Sequence, residues 1–188
     1  GMVLKPEPIY AAVRDVWAKT AAFAERRCTI IFDPAGKAFT QQTAKELASY
    51  DQLVLICGHY EGFDQRVYDL ADRLISVGDF VLTGGEIPAM LTVDATARML
   101  PGVLGDDTSA PTDSFFDALL GYPQYTRPRT FEGKEVPEVL LSGNHAAIAR
   151  WRREQSLLAT LRLRPELLPM AKLTTQDLMF LAKQNEIR

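Results

Sequence analysis

Three short glycine-bearing stretches each follow an apolar, strand-like run: Asp33-Pro34-Ala35-Gly36, Gly58-His59-Tyr60-Glu61-Gly62, and Ser76-Val77-Gly78 with Thr83-Gly84-Gly85. In open α/β sheets ligands lie beyond the carboxyl ends of the strands, and glycine there lets backbone groups come close to a ligand. Together the turns imply a small-molecule site, although any one of them alone reads more simply as a tight turn. Neither GxGxxG nor GxxxxGK(S/T) is present, so dinucleotide and triphosphate chemistry find no support. His59 and His145 are the only histidines, and His59 with Glu61 would give two ligands where a catalytic zinc wants three. No metal is expected.

The elements that must position these turns read as follows. Apolar residues recur at helical spacing over 8–25 (Ile9, Val13, Val16, Trp17, Ala21). Cys28-Thr29-Ile30-Ile31-Phe32 predicts a strand ending at the Asp33-Pro34-Ala35-Gly36 turn. A helix over 40–49 leads to a second strand, Leu53-Val54-Leu55-Ile56-Cys57, whose uninterrupted apolar run suits a strand covered on both faces. Strand, helix, strand is a βαβ unit. Leu74-Ile75 and Phe80-Val81-Leu82 predict further strand pieces, and 86–100 a helix that tolerates Pro88 in its first turn. Glycine, aspartate, serine and proline crowd 101–121, which reads as a loop. A helix over 145–163 stops at Pro165, and Thr174 with Asp177 three residues on caps a last one.

These elements give an α/β domain over 1–105, a connecting segment over 106–121 and a small helical domain over 122–188. With 47% hydrophobic and 24% charged residues the composition is that of a soluble globular chain, and no apolar run reaches membrane-spanning length. The first residues lack the features of a secretory signal, so a cytoplasmic location is expected. Cys28 and Cys57 sit apart in apolar runs, as buried free thiols do. The net charge of -3 excludes a basic coat over the whole surface. Arg150, Arg152, Arg153, Arg162 and Arg164 nevertheless lie close together, which permits one local basic face.

The strings Gly58-His59-Tyr60-Glu61-Gly62, Ser76-Val77-Gly78-Asp79-Phe80-Val81-Leu82-Thr83-Gly84-Gly85-Glu86, Pro101-Gly102-Val103-Leu104-Gly105, Asp113-Ser114-Phe115, Tyr125-Thr126-Arg127-Pro128 and Leu140-Leu141-Ser142-Gly143-Asn144-His145 occur in this order. They resemble the successive signatures of the bacterial tRNA (guanine-N1)-methyltransferases, over the chain from Gly1 to about Leu168. The resemblance implies an α/β SPOUT fold, a parallel sheet whose chain passes through a deep trefoil knot, with a small C-terminal helical domain. It implies S-adenosyl-L-methionine as cofactor, tRNA as substrate with guanosine 37 next to the anticodon as acceptor, and a homodimer with shared sites. Periodicity and spacing suggest no knot.

Carried over by position, the cofactor pocket falls on Ile31, Phe32, Asp33, Pro34, Gly58, Tyr60, Glu61, Ser76, Val77, Gly78, Phe80, Leu82, Gly84, Gly85 and Pro88. The catalytic pair falls on Asp113 and Arg98. Their chemistry matches the task, since methylation at guanine N1 needs a base for the N1 proton and a cation for charge growing on O6. A loop aspartate is also an ordinary solvated cap, and an arginine near a helix C-terminus also favours the dipole. The arginines 150–164 are expected to meet RNA phosphates, with a solvated helix face as the other reading.

The family begins with a further strand, a helix and a glycine-rich segment, so roughly fifty to sixty residues are expected to be missing before Gly1, judged by length. His59 stands where the family often has Arg, and Asp33 where it often has Ser. Two alternatives follow from the shortened start and the superfamily: a non-catalytic RNA-binding remnant, and a SPOUT methyltransferase acting on another RNA.

Overall fold

The computed structural model describes residues 1–22, 24–105 and 113–185. The chain divides into two compact units, Gly1–Asp107 and Thr108–Arg188. Of the segment read as a connection, 106–112 lies outside the described residues, and 113–121 belongs to the second unit.

The first unit is built on a parallel sheet of β1 (Arg27–Ala38), β2 (Gln52–Ile56) and β3 (Arg73–Ser76), in the order β2-β1-β3. Side chains of β1 alternate between the faces, as a two-residue period requires. Ile31 joins Ile56 and Val13 of helix α1 (Pro6–Thr20), together with Val67 and Leu70 of a 3-10 turn at Gln65–Leu70. Cys28 and Ile30 point the other way, to Leu47 of helix α2 (Gln41–Leu47) and Ile75. Both faces are covered, which explains the unbroken apolar runs. Helix α3 (Glu86–Ala97) completes the unit and buries Pro88, Thr92 and Thr96. Both cysteines are free, Cys28 buried and Cys57 half-buried, and loss of hydration pushes both thiols up.

Two strand expectations are corrected. β1 does not end at the Asp33-Pro34-Ala35-Gly36 turn but continues to Ala38, with a register break in which Ile75 pairs with both Phe32 and Lys37. The turn residues form the bulge between those pairings. Gly36 is required there, because a Cβ would lie 2.5 Å from the Ile75 nitrogen. Phe80-Val81-Leu82 is not a strand either. After Gly78, whose φ of +151° is disfavoured for residues with a side chain, these three run through an exposed loop with Val81 89% exposed.

The second unit holds a hairpin of β4 (Thr130–Phe131) and β5 (Lys134–Glu135), then α4 (Glu138–Leu141), α5 (His145–Leu163), a 3-10 turn Pro165–Met170 and α6 (Thr175–Asn185). Its core joins Leu119, Leu157 and Leu181. The capping box is present: the Asp177 amide donates to Thr174 Oγ1 (3.2 Å) and the Thr174 amide to Asp177 Oδ2 (2.8 Å). Arg153 of α5 donates to both oxygens of Asp177 (3.3 and 2.9 Å) and to the Lys172 carbonyl (3.0 Å). No helix among the described residues is long and apolar enough to cross a membrane.

Burial would push the Asp177 carboxyl up, but hydrogen bonds from Arg153 and Thr174 outweigh it and hold the group below the usual carboxylate range. A carboxyl depressed in the folded state contributes stability that is complete above its unfolded value, about 3.9, and is lost as pH falls through the folded value. In urea unfolding followed by helical circular dichroism, this contribution should hold steady from neutral pH to about 4 and fall below it. Asp177→Asn should lower stability by about 1–3 kcal/mol at neutral pH and flatten the acid fall.

Candidate functional site

The bulge in β1 and the carboxyl ends of β2 and β3 bring the glycine turns together. The Gly85 amide donates to the Gly58 carbonyl (2.9 Å), and His59 pairs with Gly84 in an isolated antiparallel bridge, so the second and third turns are tied together. Residues 2–4 brace the second turn from behind: the Glu61 amide donates to the Met2 carbonyl (3.0 Å), Leu4 to Gly62 (2.9 Å) and Asp64 to Leu4 (3.0 Å). Within that turn Tyr60 takes a φ of +60° and is 67% exposed. A left-handed aromatic costs on the order of 1 kcal/mol, and such strain gathers at ligand clamps.

These turns enclose a cavity of about 260 Å³. Phe32, Asp33 and Pro34 line it from the first turn, Gly58, Tyr60 and Glu61 from the second, and Ser76, Val77, Gly78, Phe80, Leu82, Gly84, Gly85 and Pro88 from the third and the start of α3. Ile31 is the exception among the expected pocket residues. It is fully buried in the core between β1 and α1, because the strand's alternation turns it inward one residue before the bulge. The cavity also takes in His59 and Val81, named in the sequence but not expected in the pocket, and Phe63 and Tyr68, which the sequence did not single out. Phe63 directly extends the second turn, whereas nothing in the sequence marks Tyr68.

The polar groups are few. The Tyr68 hydroxyl donates to Asp33 Oδ2 (2.6 Å). Burial first, and then this bond to a carboxylate, pushes the Tyr68 phenol up to about 12. His59 Nε2 lies 2.7 Å from Glu86 Oε1, and this contact holds the Glu86 carboxyl below its usual range. Ser76 Oγ accepts from the Gly78 amide (3.2 Å) and fixes the start of the third turn.

Gly85 is where the turns press closest, since a Cβ there would stand 2.7 Å from Cys57 Cα and 3.0 Å from the Gly58 nitrogen. Both are backbone atoms that cannot rotate away. At Gly84 the same test meets the His59 ring and the Glu86 side chain, which can. Gly85→Ala should therefore lower the thermal midpoint and remove ligand binding in titration calorimetry, and Gly84→Ala should keep a measurable affinity. The reverse order would contradict this packing.

Arg98 caps α3 in the first unit, its amide donating to the Asp94 carbonyl (3.3 Å). Asp113 is exposed in the second unit, where its carbonyl accepts from the Phe116 amide (3.4 Å). Neither lines the cavity. The single basic face expected of the five arginines is not formed. Arg150 and Arg152 are two residues apart on α5, roughly 200° around its axis. Arg153 is committed to Asp177, Arg164 pairs with Glu166, and Arg152 lies over the Tyr122 ring at 4.9 Å. Arg150, Arg152, Arg162 and Arg164 are exposed.

A doubly covered parallel sheet with a cavity walled by glycine turns defines an α/β protein with room for a small molecule beside the ends of its strands. Comparison with known proteins narrows the class. The family described as tRNA (Guanine-1)-methyltransferase TrmD matches residues 1–170, and the chain belongs to that family. A tRNA (guanine-N(1)-)-methyltransferase of Moorella thermoacetica is 55% identical over 96% of this chain and 72% of its own length. Those of Syntrophotalea carbinolica and Staphylococcus carnosus are each 53% identical over 94% of this chain, and over 70% and 71% of their own lengths. Family membership implies a methyl donor and a tRNA substrate. The binding-remnant alternative is not favoured, because the match takes in the cavity, Arg98 and Asp113 alike.

Proposed function

We propose that the chain methylates N1 of guanosine 37 in tRNA, beside the anticodon, with S-adenosyl-L-methionine as donor. The observation that carries this reading is the cavity at the carboxyl edge of β1–β3, walled by the turns whose sequences mark the family. The residues present fit the donor: Val77 and Leu82 give the lining apolar side chains suited to adenine, and Gly78, Gly84 and Gly85 bring backbone to the same lining for its edge. When bound, the donor would supply a methyl group on a sulfonium, whose bond to sulfur would break with its electron pair as the bond to N1 formed. Asp113 takes the N1 proton onto its carboxylate, and Arg98 holds the charge that gathers on O6.

We also read the chain as a cytoplasmic homodimer with a trefoil-knotted SPOUT core. Ile87, Met90, Leu91, Asp94 and Arg98 share one side of α3 at helical spacing, and Ile87, Met90 and Leu91 are 63%, 71% and 45% exposed. An apolar stripe that ends at the proposed catalytic arginine suits an interface at which sites are shared. The ties between turns 58–62 and 83–85, with residues 2–4 laced behind, suit a threaded core. Arg150, Arg152 and Arg162, exposed on α5, and Arg164 just beyond it would meet tRNA phosphates.

Transfer of labelled methyl from S-adenosylmethionine to tRNA, with guanosine 37 replaced by adenosine as control, tests the reaction. Sedimentation equilibrium at micromolar concentration should give a dimer that Met90→Glu dissociates. Label in the control tRNA, or a monomer that methylates at the full rate, would overturn the respective reading.

A further inference from the structure

Asp33 stands where β1 swings out of register, and its carboxylate is held from two sides. Oδ2 accepts the Tyr68 hydroxyl at 2.6 Å and Oδ1 the Ala35 amide at 2.8 Å. Neither donor is a cation, so these bonds fix the carboxylate without neutralising it, and each oxygen keeps a further lone pair for a ligand. Asp33 and Tyr68 both line the cavity. Among the described residues its lining carries two carboxylates, Asp33 and Glu61, and neither lysine nor arginine. Such a wall favours the cationic end of a ligand and disfavours an anionic one.

On the reading of the cavity as the S-adenosylmethionine site, the donor offers two positive groups. The sulfonium has no N–H to give, whereas the α-ammonium has three, and a fixed carboxylate with open lone pairs matches a group that donates hydrogen bonds. We propose that Asp33, oriented by Tyr68, receives the α-ammonium of the donor's amino-acid end and so selects nucleosides that carry an amino acid. Tyr68 is a positioning residue in this scheme. Its phenol, pushed up to about 12 by burial and by Asp33, remains a donor across the neutral range.

Three probes separate the contributions in titration calorimetry of the full chain at neutral pH. S-adenosylmethionine carries both positive groups, S-adenosylhomocysteine the ammonium without the sulfonium, and methylthioadenosine neither; the first two share the α-carboxylate, so a loss common to them on removing the Asp33 charge reads the ammonium. Asp33→Asn should weaken the first two by about 10- to 100-fold and leave methylthioadenosine within about twofold. Tyr68→Phe should weaken the same two by about 3- to 10-fold and spare the third, a selectivity that a purely structural role would not give. Retained methylthioadenosine binding also serves as the check that each variant is folded. If Asp33→Asn keeps its S-adenosylmethionine affinity, or loses all three ligands equally, the assignment of the ammonium to Asp33 is overturned while the cofactor reading stands. A wild-type chain that binds none of the three removes the cofactor reading, and this assignment with it.

Discussion

Asp113→Asn should slow single-turnover methylation of tRNA by a factor of about 100 to 10,000 and leave donor affinity unchanged. The amide keeps the size of the side chain and most of its hydrogen bonding, but it cannot take the N1 proton. Guanine N1 is a poor nucleophile until that proton leaves, so the loss appears in the chemical step. Asp113 is exposed and lies outside the cavity lining, which is why donor binding should not register the change. Wild-type chemistry in this variant would remove Asp113 from the mechanism. A parallel loss of donor affinity would instead place its role in folding or docking.

Arg98→Lys should lower the same rate, at saturating tRNA and donor, by about 100- to 1000-fold, the range seen when a donor to a developing oxyanion is lost. Lysine keeps the positive charge but not the planar fork, and a point charge on a flexible stem does not hold the geometry that O6 requires. Arg98 ends the exposed stripe of α3, so the rate must be read beside sedimentation of the same variant. A dimer with intact donor binding and a slowed chemical step supports the assignment. A dimer that transfers methyl at the wild-type rate contradicts it.

What the sequence made legible was local. Glycine after an apolar run marks a break in a strand, and the three stretches so marked do wall one cavity. The α6 cap was legible as Thr174 and Asp177 three residues apart. The break in β1 was not, because a turn composition inside a strand cannot be told from a strand end until the partner's register is known, and that register comes from β3. Tyr68 escaped for a related reason, since its bond to Asp33 crosses 35 residues of chain. How the arginines are placed was not legible, because closeness in sequence is not closeness around a helix. Arg153 in particular looked like an RNA contact, and the structure ties it to a buried carboxylate that reads in sequence only as a cap. Phe80-Val81-Leu82 is apolar without being a strand, and an apolar loop beside a cavity has the same composition as a short strand.

The break in β1 also bears on the order in which the molecule assembles. Thr29 and Asp72, which exchange hydrogen bonds beside the β1–β3 pairing, are 43 residues apart. The loop that their meeting closes contains α2, β2 and the whole of the second turn, so its entropy is lost before the long-range pairing returns anything. Until β3 docks, the bulge has no Ile75 to fold around and Asp33 has no fixed direction. A chain with β1 and β2 paired but β3 still loose therefore has a hydrophobic core in the making and no binding site at all. A ligand acts only on the completed state, where it holds closed a structure it had no part in building.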